Sequence, residues 1–576
     1  MAGSYWDKVT EQRITRRRML KSAGVAGAAA GAVWLVGCGS DGGTDDPKTP
    51  GTGSTPAGTQ SATGLRFLNE KNPPVPGGRY VASTGADFGT WDAHVSVAAA
   101  ANYFPRIYPV LVNQSSVDPD FRYFDLAESV ENPDENTWNF KIRKGVKIGP
   151  NDLGVPERDM TAEDAVATYT RIKSEPKAGN GAIKPFLDTM TANGDIFTIK
   201  TTKPYAWFLY RVGIFTSTVP PKELTSDQAG IDKMRTKSAG AGPFRFSSST
   251  EGEIAKMDRN PSYYRKDENN SNAALPYWEG LDLRVIRDRA TVKTAFNDGQ
   301  ISVYGPESKA EADSYASQSG FFVTKDPGTT FISVAMNPEK DPFKDDRVRK
   351  AIGYAINRDQ YVQIVYQGDA EANGLVHWST GRYAFRGDEL KEVQPFDLAE
   401  AKKLVEAVGG IKVKMMYPAS SNIQQHDKHL PIFLEQMKAA GIEIEQDPKD
   451  FGTWYSDYQT LNYTMSLSLN QSYETPEVPL DAHSAGGPLS DRSFFIGLND
   501  PEIEAAIQKT KTTFDLEEQI TAVRDAQKLI YSKGPTWLPL VTPFSYVAYN
   551  KKVHNIPTGV GGATGGLVSS VAWIEA

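Results

Sequence analysis

The chain has 576 residues, 39% of them apolar and 23% charged, with 10 Trp, 25 Tyr and 25 Phe. That is material for several globular domains, and it excludes a disordered acidic polymer and a polytopic membrane protein. A net charge of −8, with no long basic run beyond the N-terminus, argues against nucleic-acid binding, which needs a cationic surface to displace counterions. The single cysteine, Cys38, excludes an internal disulfide, a cysteine zinc site and an iron–sulfur cluster held by several cysteines of this chain.

In chain order the first element is an address. Arg16, Arg17 and Arg18 precede Met19, Leu20 and Lys21, and an uncharged stretch follows from Ser22 to Ser40. Its apolar part, Ala23 to Val36, holds six alanines and three glycines and is too short and mildly apolar for a stable membrane span. The layout resembles a twin-arginine export signal, with Met19 where Phe is usual. Leu35-Val36-Gly37-Cys38 resembles a lipobox, the site where bacterial lipoproteins are acylated on Cys and cleaved. Removal of residues 1–37 leaves 57 basic and 69 acidic side chains, a net charge of −12. From Gly39 to Gly64 no side chain is an aromatic or an aliphatic larger than Ala, so residues 38–64 are expected to form a flexible tether.

Beyond the tether, Gly77-Gly78 reads as a turn feeding a strand at Arg79-Tyr80-Val81. Trp138, Phe140 and Ile142 alternate with polar residues, which predicts a strand with one buried face. Thr161 and Asp164 open a helix with a capping box. Asp345 or Asp346 starts another, in which Val348, Ala351, Ile352, Ala355 and Ile356 make a core-facing stripe. Asp397 and Glu400 cap a third helix, which ends at Gly409-Gly410. A strand over Val413 to Tyr417, a helix through Leu430 to Met437 and a strand from Ile442 to Glu445 form a βαβ unit, which implies a parallel sheet covered by helices. His426 and His429 lie on the second of these helices, where the expected setting is a solvated face rather than a metal site.

Several segments, in order, resemble the extracellular solute-binding proteins of dipeptide- and oligopeptide-type ABC importers, solute-binding family 5. They are Asp125 to Ser129, Trp138 to Val146, Met160 to Val166, Gly240 to Phe244, Arg259 to Tyr264, and the signature run from Asn337 through Asp346–Ile352 to Ala355-Ile356-Asn357-Arg358. The resemblance implies an α/β, two-lobed, periplasmic-binding-protein-like flytrap with an inserted subdomain in its first lobe. Residues 65–110, 240–328 and 535–576 would be lobe one, 111–239 the insertion, and 329–534 lobe two. It implies no enzyme activity, cofactor or metal. The implied partners are a small solute, with peptide the family default, and an ABC permease with its ATPase. The implied site is the outer face of the cytoplasmic membrane, where a monomer is held by lipid on Cys38.

The resemblance also marks ligand-contact candidates. Trp91 and His94 lie in the loop matching an early cleft-facing loop, and His377 and Trp378 lie in a loop after the signature helix. Gln471, Ser472, Tyr473 and Glu474 match the stretch that in peptide-binding relatives reads Asp-Tyr-x-Asp/Glu-Pro, where the first Asp pairs with the peptide ammonium. Ser472 stands at that Asp position, and a neutral hydroxyl does not replace a charge-assisted contact. This departure keeps a saccharide, an opine or another polar metabolite open as the solute. A secreted hydrolase is the rival from another class, although no Gly-x-Ser-x-Gly, His-Glu-x-x-His or Gly-Lys-Ser/Thr motif supports one. A second rival is a surface chaperone or sensor-coupled receptor.

Overall fold

A computed structural model describes residues 59–60, 66–67, 74–95, 103–114, 122–267, 270–328, 330–419, 426–471, 475–484, 497–558 and 570–575. Arg16, Arg17, Cys38, the tether and three members of the ligand-contact stretch, Ser472, Tyr473 and Glu474, lie outside the described residues. Among the described residues no helix is long and apolar enough to cross a membrane.

The segment Ala127–Thr201 builds an antiparallel four-stranded sheet in the order Ala127–Asp134, Thr137–Ile142, Ile196–Thr201, Leu187–Asn193. The alternation read in the sequence is its cause: Trp138, Phe140 and Ile142 are buried together with Phe197 and Ile199. The helix Ala162–Ser174 lies against this sheet through Tyr169 and Ile172. Asp164, fully buried, organises the helix start. Its carboxylate accepts the backbone N–H of Thr161 at 2.7 Å and of Lys222 at 2.8 Å, and both terminal nitrogens of Arg158 at 2.7 and 2.9 Å. Burial of the charge is thus matched by donors on all sides.

A second sheet has five strands in the order Ile442–Lys449, Ile411–Pro418, Met465–Gln471, Thr330–Met336, Trp537–Pro539. The first three are parallel, as the βαβ reading requires, but Thr330–Met336 and Trp537–Pro539 pair antiparallel, so the sheet is mixed. Over it lies the helix Asp346–Ala355, capped by Asp345, whose apolar stripe is buried as patterned. Arg349 and Arg358 of the signature run are buried as well. Arg349 donates to the carbonyls of Phe343, Lys533 and Gly534, the last two at the end of the helix Leu516–Ser532, where the dipole favours a cation. Arg358 donates to the carbonyls of Asn373 and Pro539 and to Gln394 Oε1.

The helix His426–Ala439 corrects one expectation. Its two histidines do not face solvent: His426 is 4% exposed and His429 is fully buried. The His426 ring donates through Nε2 to the Leu467 carbonyl at 3.1 Å, and the His429 ring stacks on Tyr361 at 5.3 Å. Flanking Asp427 and Lys428 gave the segment a polar look, whereas an imidazole with a satisfied N–H packs as an aromatic ring.

A third sheet joins Arg79–Thr84, in parallel, to Gly280–Val285 and continues antiparallel through Ile254–Arg259 and Phe244–Thr250. Near it, Val541–Asn550 pairs with Phe321–Pro327 and Val303–Tyr304. Two of these strands run on into the five-stranded sheet: Phe321–Pro327 into Thr330–Met336, and Val541–Asn550 from Trp537–Pro539. The crossings lie side by side, and a Cβ on Gly328 would sit 2.0 Å from the Pro543 carbonyl oxygen. Only glycine permits that approach.

Asp164→Ala removes the acceptor shared by Arg158, Thr161 and Lys222, and is expected to cost about 3 kcal/mol in urea unfolding. A loss under about 1 kcal/mol would show that Glu223, the other carboxylate on Arg158, suffices.

Candidate functional site

The two early candidates serve to join parts of the chain. Trp91 is 3% exposed and packs among Phe88, Phe104 and Phe246. His94 is fully buried between the helix Ala162–Ser174 and the segment at Thr218. Its Nε2 lies 3.1 Å from the Thr218 carbonyl, so it carries the proton, and Nδ1 accepts from Arg171 at 3.1 Å. Arg171 also grips Asp92 with both terminal nitrogens, at 2.6 and 2.8 Å. Burial and the adjacent guanidinium push the His94 pKa down to about 4. Burial alone would raise the Asp92 carboxyl, but Arg171 outweighs it and holds Asp92 below the usual range.

His377 and Trp378 lie at the crossings. The His377 Nδ1 accepts the backbone N–H of Ser379 at 3.1 Å, which leaves Nε2 to donate to Thr542 Oγ1 at 3.1 Å. Its ring stacks between Phe331 at 5.7 Å and Trp378 at 5.5 Å. Phe331 continues to Trp537 at 5.8 Å, and Trp378 meets Phe544 edge-on at 5.4 Å. Lys325 closes this aromatic ladder, 3.7 Å over the Phe544 ring and 3.0 Å from Asp369, which also accepts from Tyr546 at 2.6 Å. The Trp378 indole N–H is buried with no acceptor among the described residues. Gln471 ends its strand opposite Thr330, so its backbone stands next to the ladder. The structure therefore brings His377, Trp378 and the Gln471 end of the strand together, and places Trp91 and His94 in a separate core.

Sequence reasoning passed over a buried network between the segment 205–211 and residues 475–514. Tyr205 directs its hydroxyl at the Glu477 carboxylate, 2.7 and 2.8 Å from the two oxygens. Arg211 donates to Glu477 at 2.9 Å, to Thr475 at 3.3 Å and to Tyr205 at 3.2 Å. Lys511 pairs with Asp481 at 2.5 Å and accepts the Ala206 N–H on its carbonyl. Trp207 meets Tyr383 at 5.4 Å, and Trp138 meets Phe514 at 6.2 Å. Burial pushes Asp481 up to about 6, against the opposing pull of Lys511. Among the described residues no group of three or more His, Cys, Asp or Glu is placed to hold a metal.

The family model for bacterial extracellular solute-binding proteins, family 5, matches residues 123–488, well over half of the chain. The chain belongs to that family. Its members are non-catalytic solute-binding proteins. The peptide transport periplasmic protein SapA of Salmonella typhimurium is 20% identical over 454 residues, covering 75% of this chain and 80% of SapA. The Helicobacter pylori periplasmic binding protein DppA, solved with the peptide STSA, shares the fold at a TM-score of 0.69 and 20% identity, over 87% of this chain and 99% of DppA. AgaA of A. tumefaciens R10, solved with agropinic acid, shares it at 0.67 and 18%, over 86% and 99% of the two chains.

Four of the five buried histidines give this family 5 binding protein a pH signature. Burial depresses His94, His426 and His483 to about 4 and His377 to about 3. Each stays neutral when folded but takes a proton in the unfolded chain below about pH 6.5, so their stabilisation is lost as pH falls through that value toward 4. Asp481, protonated near 6 when folded, acts in the opposite sense and offsets one of the four. The urea midpoint is expected to fall steadily from pH 7 to pH 5, with a shallower slope in His377→Gln. A flat profile would mean that these rings are hydrated in the native state.

Proposed function

We propose that the protein captures a small solute between its two lobes, outside the cytoplasmic membrane, and delivers it to an ABC permease. The observation that carries this reading is the pair of adjacent crossings at Gly328 and Leu540, together with the buried contacts of Tyr205, Trp207 and Arg211 with residues of the second half of the chain. Short strands joining two bodies at one place are what a hinge closure needs. His377 and Trp378, beside the crossings, would then sense the closing lobes, with Gln471, Ser472, Tyr473 and Glu474 contributing to the solute site. Trp91 and His94 would act by holding the inserted subdomain.

A peptide is the first candidate solute, in line with SapA and with the peptide bound to DppA. Ser472 supports a second reading, a polar solute without a free ammonium, and AgaA with agropinic acid shows that the fold accommodates one. The two are separated by a thermal-shift screen of tri- and tetrapeptides, their N-acetylated forms, sugars and amino-acid conjugates. A cognate solute at 100 times its Kd stabilises the closed protein by about 2.7 kcal/mol. Under the peptide reading free peptides raise Tm and acetylated ones do not. Under the second, free peptides are inert, and Ser472→Asp introduces binding. If no compound in the screen shifts Tm, the capture of small solutes of these classes is refuted.

Export by the twin-arginine route and a lipid anchor on Cys38 complete the proposal, supported by Arg16, Arg17 and the lipobox-like Leu35 to Cys38. Cys38→Ser is expected to move the protein from washed membranes to the soluble fraction. Retention in the pellet would assign the anchoring to another segment.

A further inference from the structure

The network around Arg211 and Glu477 has no place in the solute-binding reading as it stands, and its chemistry demands one. Glu477 is fully buried and the Arg211 side chain is 8% exposed, on elements 266 residues apart in sequence. Each withdraws a full charge from water only where the inserted segment and the second lobe touch. Tyr205 saturates the carboxylate, Thr475 takes a further guanidinium N–H, and Ala206 and Trp207 seal the adjoining surface against Lys511 and Tyr383. Buried charges at a surface that never opens are commonly replaced by apolar groups at no cost in stability. At a surface that opens and closes, a charge pair is hydrated in one state and matched in the other, and so leaves no exposed apolar patch on the open form.

We infer that Arg211 and Glu477, with Tyr205 and Thr475, form a closure latch between the inserted subdomain and the second lobe, setting the closed fraction of the protein before any solute binds. The inference rests on the proposal that the lobes close around a hinge. Apparent affinity for any solute scales with the fraction of protein already in the binding-competent state, so the latch tunes affinity without touching the solute. Loss of either charge strands the other in the closed state alone, since opening rehydrates it. Single substitutions therefore favour the open state, and removal of both charges does so less than the two single effects combined.

The test is made without solute, on the full chain carrying Cys38→Ser with spin labels at Lys144→Cys and Lys403→Cys, both exposed and on opposite sides of the latch. Electron–electron distance distributions are compared for the parent, Glu477→Gln, Arg211→Met and the double variant. The expected result is a parent dominated by the short distance and an open-to-closed ratio at least tenfold higher in each single variant. In the double variant the ratio falls below the product of the single effects. Should Arg211→Met not fold by circular dichroism, Glu477→Gln and Thr475→Val carry the comparison. Gly328→Ala, which forces the crossings apart, is the control for lobe motion. If it lengthens the distance while folded Glu477→Gln and Arg211→Met match the parent, the latch is refuted and hinge closure stands. If no variant moves the distance, both fall. A parent that is already open without solute also overturns the latch.

Discussion

The ion pair between Asp92 and Arg171 fixes the helix Ala162–Ser174 to the loop that carries Trp91 and His94. Both are withdrawn from water, their bidentate contact is joined by the His94 ring, and that ring also reaches the Thr218 carbonyl. Rotation of that helix against the loop at Asp92 would leave a guanidinium and a carboxylate uncompensated in an apolar surround, a penalty of several kcal/mol. The helix and the loop therefore hold as one unit. Tyr205, Trp207 and Arg211 then join that unit to Glu477 and Tyr383, far along the chain.

At the crossings the forces are of another kind. There the surfaces are aromatic and backbone, with one glycine packed against a carbonyl and a ladder of rings from Trp537 to Phe544. Stacked rings tolerate small relative rotations, because dispersion and edge-to-face attraction vary slowly with angle. Charge pairs such as Arg211 and Glu477 do not, since their strength falls steeply once water enters. Compliance in the rings and a sharply made charge contact suit a two-position device.

Much of this fold was legible in the residues. The 2-residue period at Trp138 to Ile142, the Asp345 and Asp397 caps and the stripe from Val348 to Ile356 are local patterns, and the structure places strands and helices where they predict. The mixed character of the five-stranded sheet was hidden, because Trp537–Pro539 reaches it from some 200 residues away from its partner strand. The same distance hid the site. His94 pairs with Arg171 and Thr218, and Arg211 with Glu477, over separations of 77 to 266 residues. A charged residue destined for burial looks in sequence like any surface one. His426 and His429 show the converse error, since their polar neighbours concealed rings that pack in the core.

The distribution of indoles has an optical consequence. Trp91 is enclosed in the first lobe by Phe88, Phe104 and Phe246, so its emission reports on the integrity of that core and is blind to lobe motion. Trp207 faces Tyr383 near the Arg211 network, and Trp378 faces Phe544 beside the crossings. One indole thus sits at a contact that opening would hydrate, and the other in the aromatic ladder, where the ring merely tilts. Opening would redshift the first and leave the second nearly at its original wavelength, so the spectrum of a single unlabelled chain carries a coarse measure of the angle between its lobes.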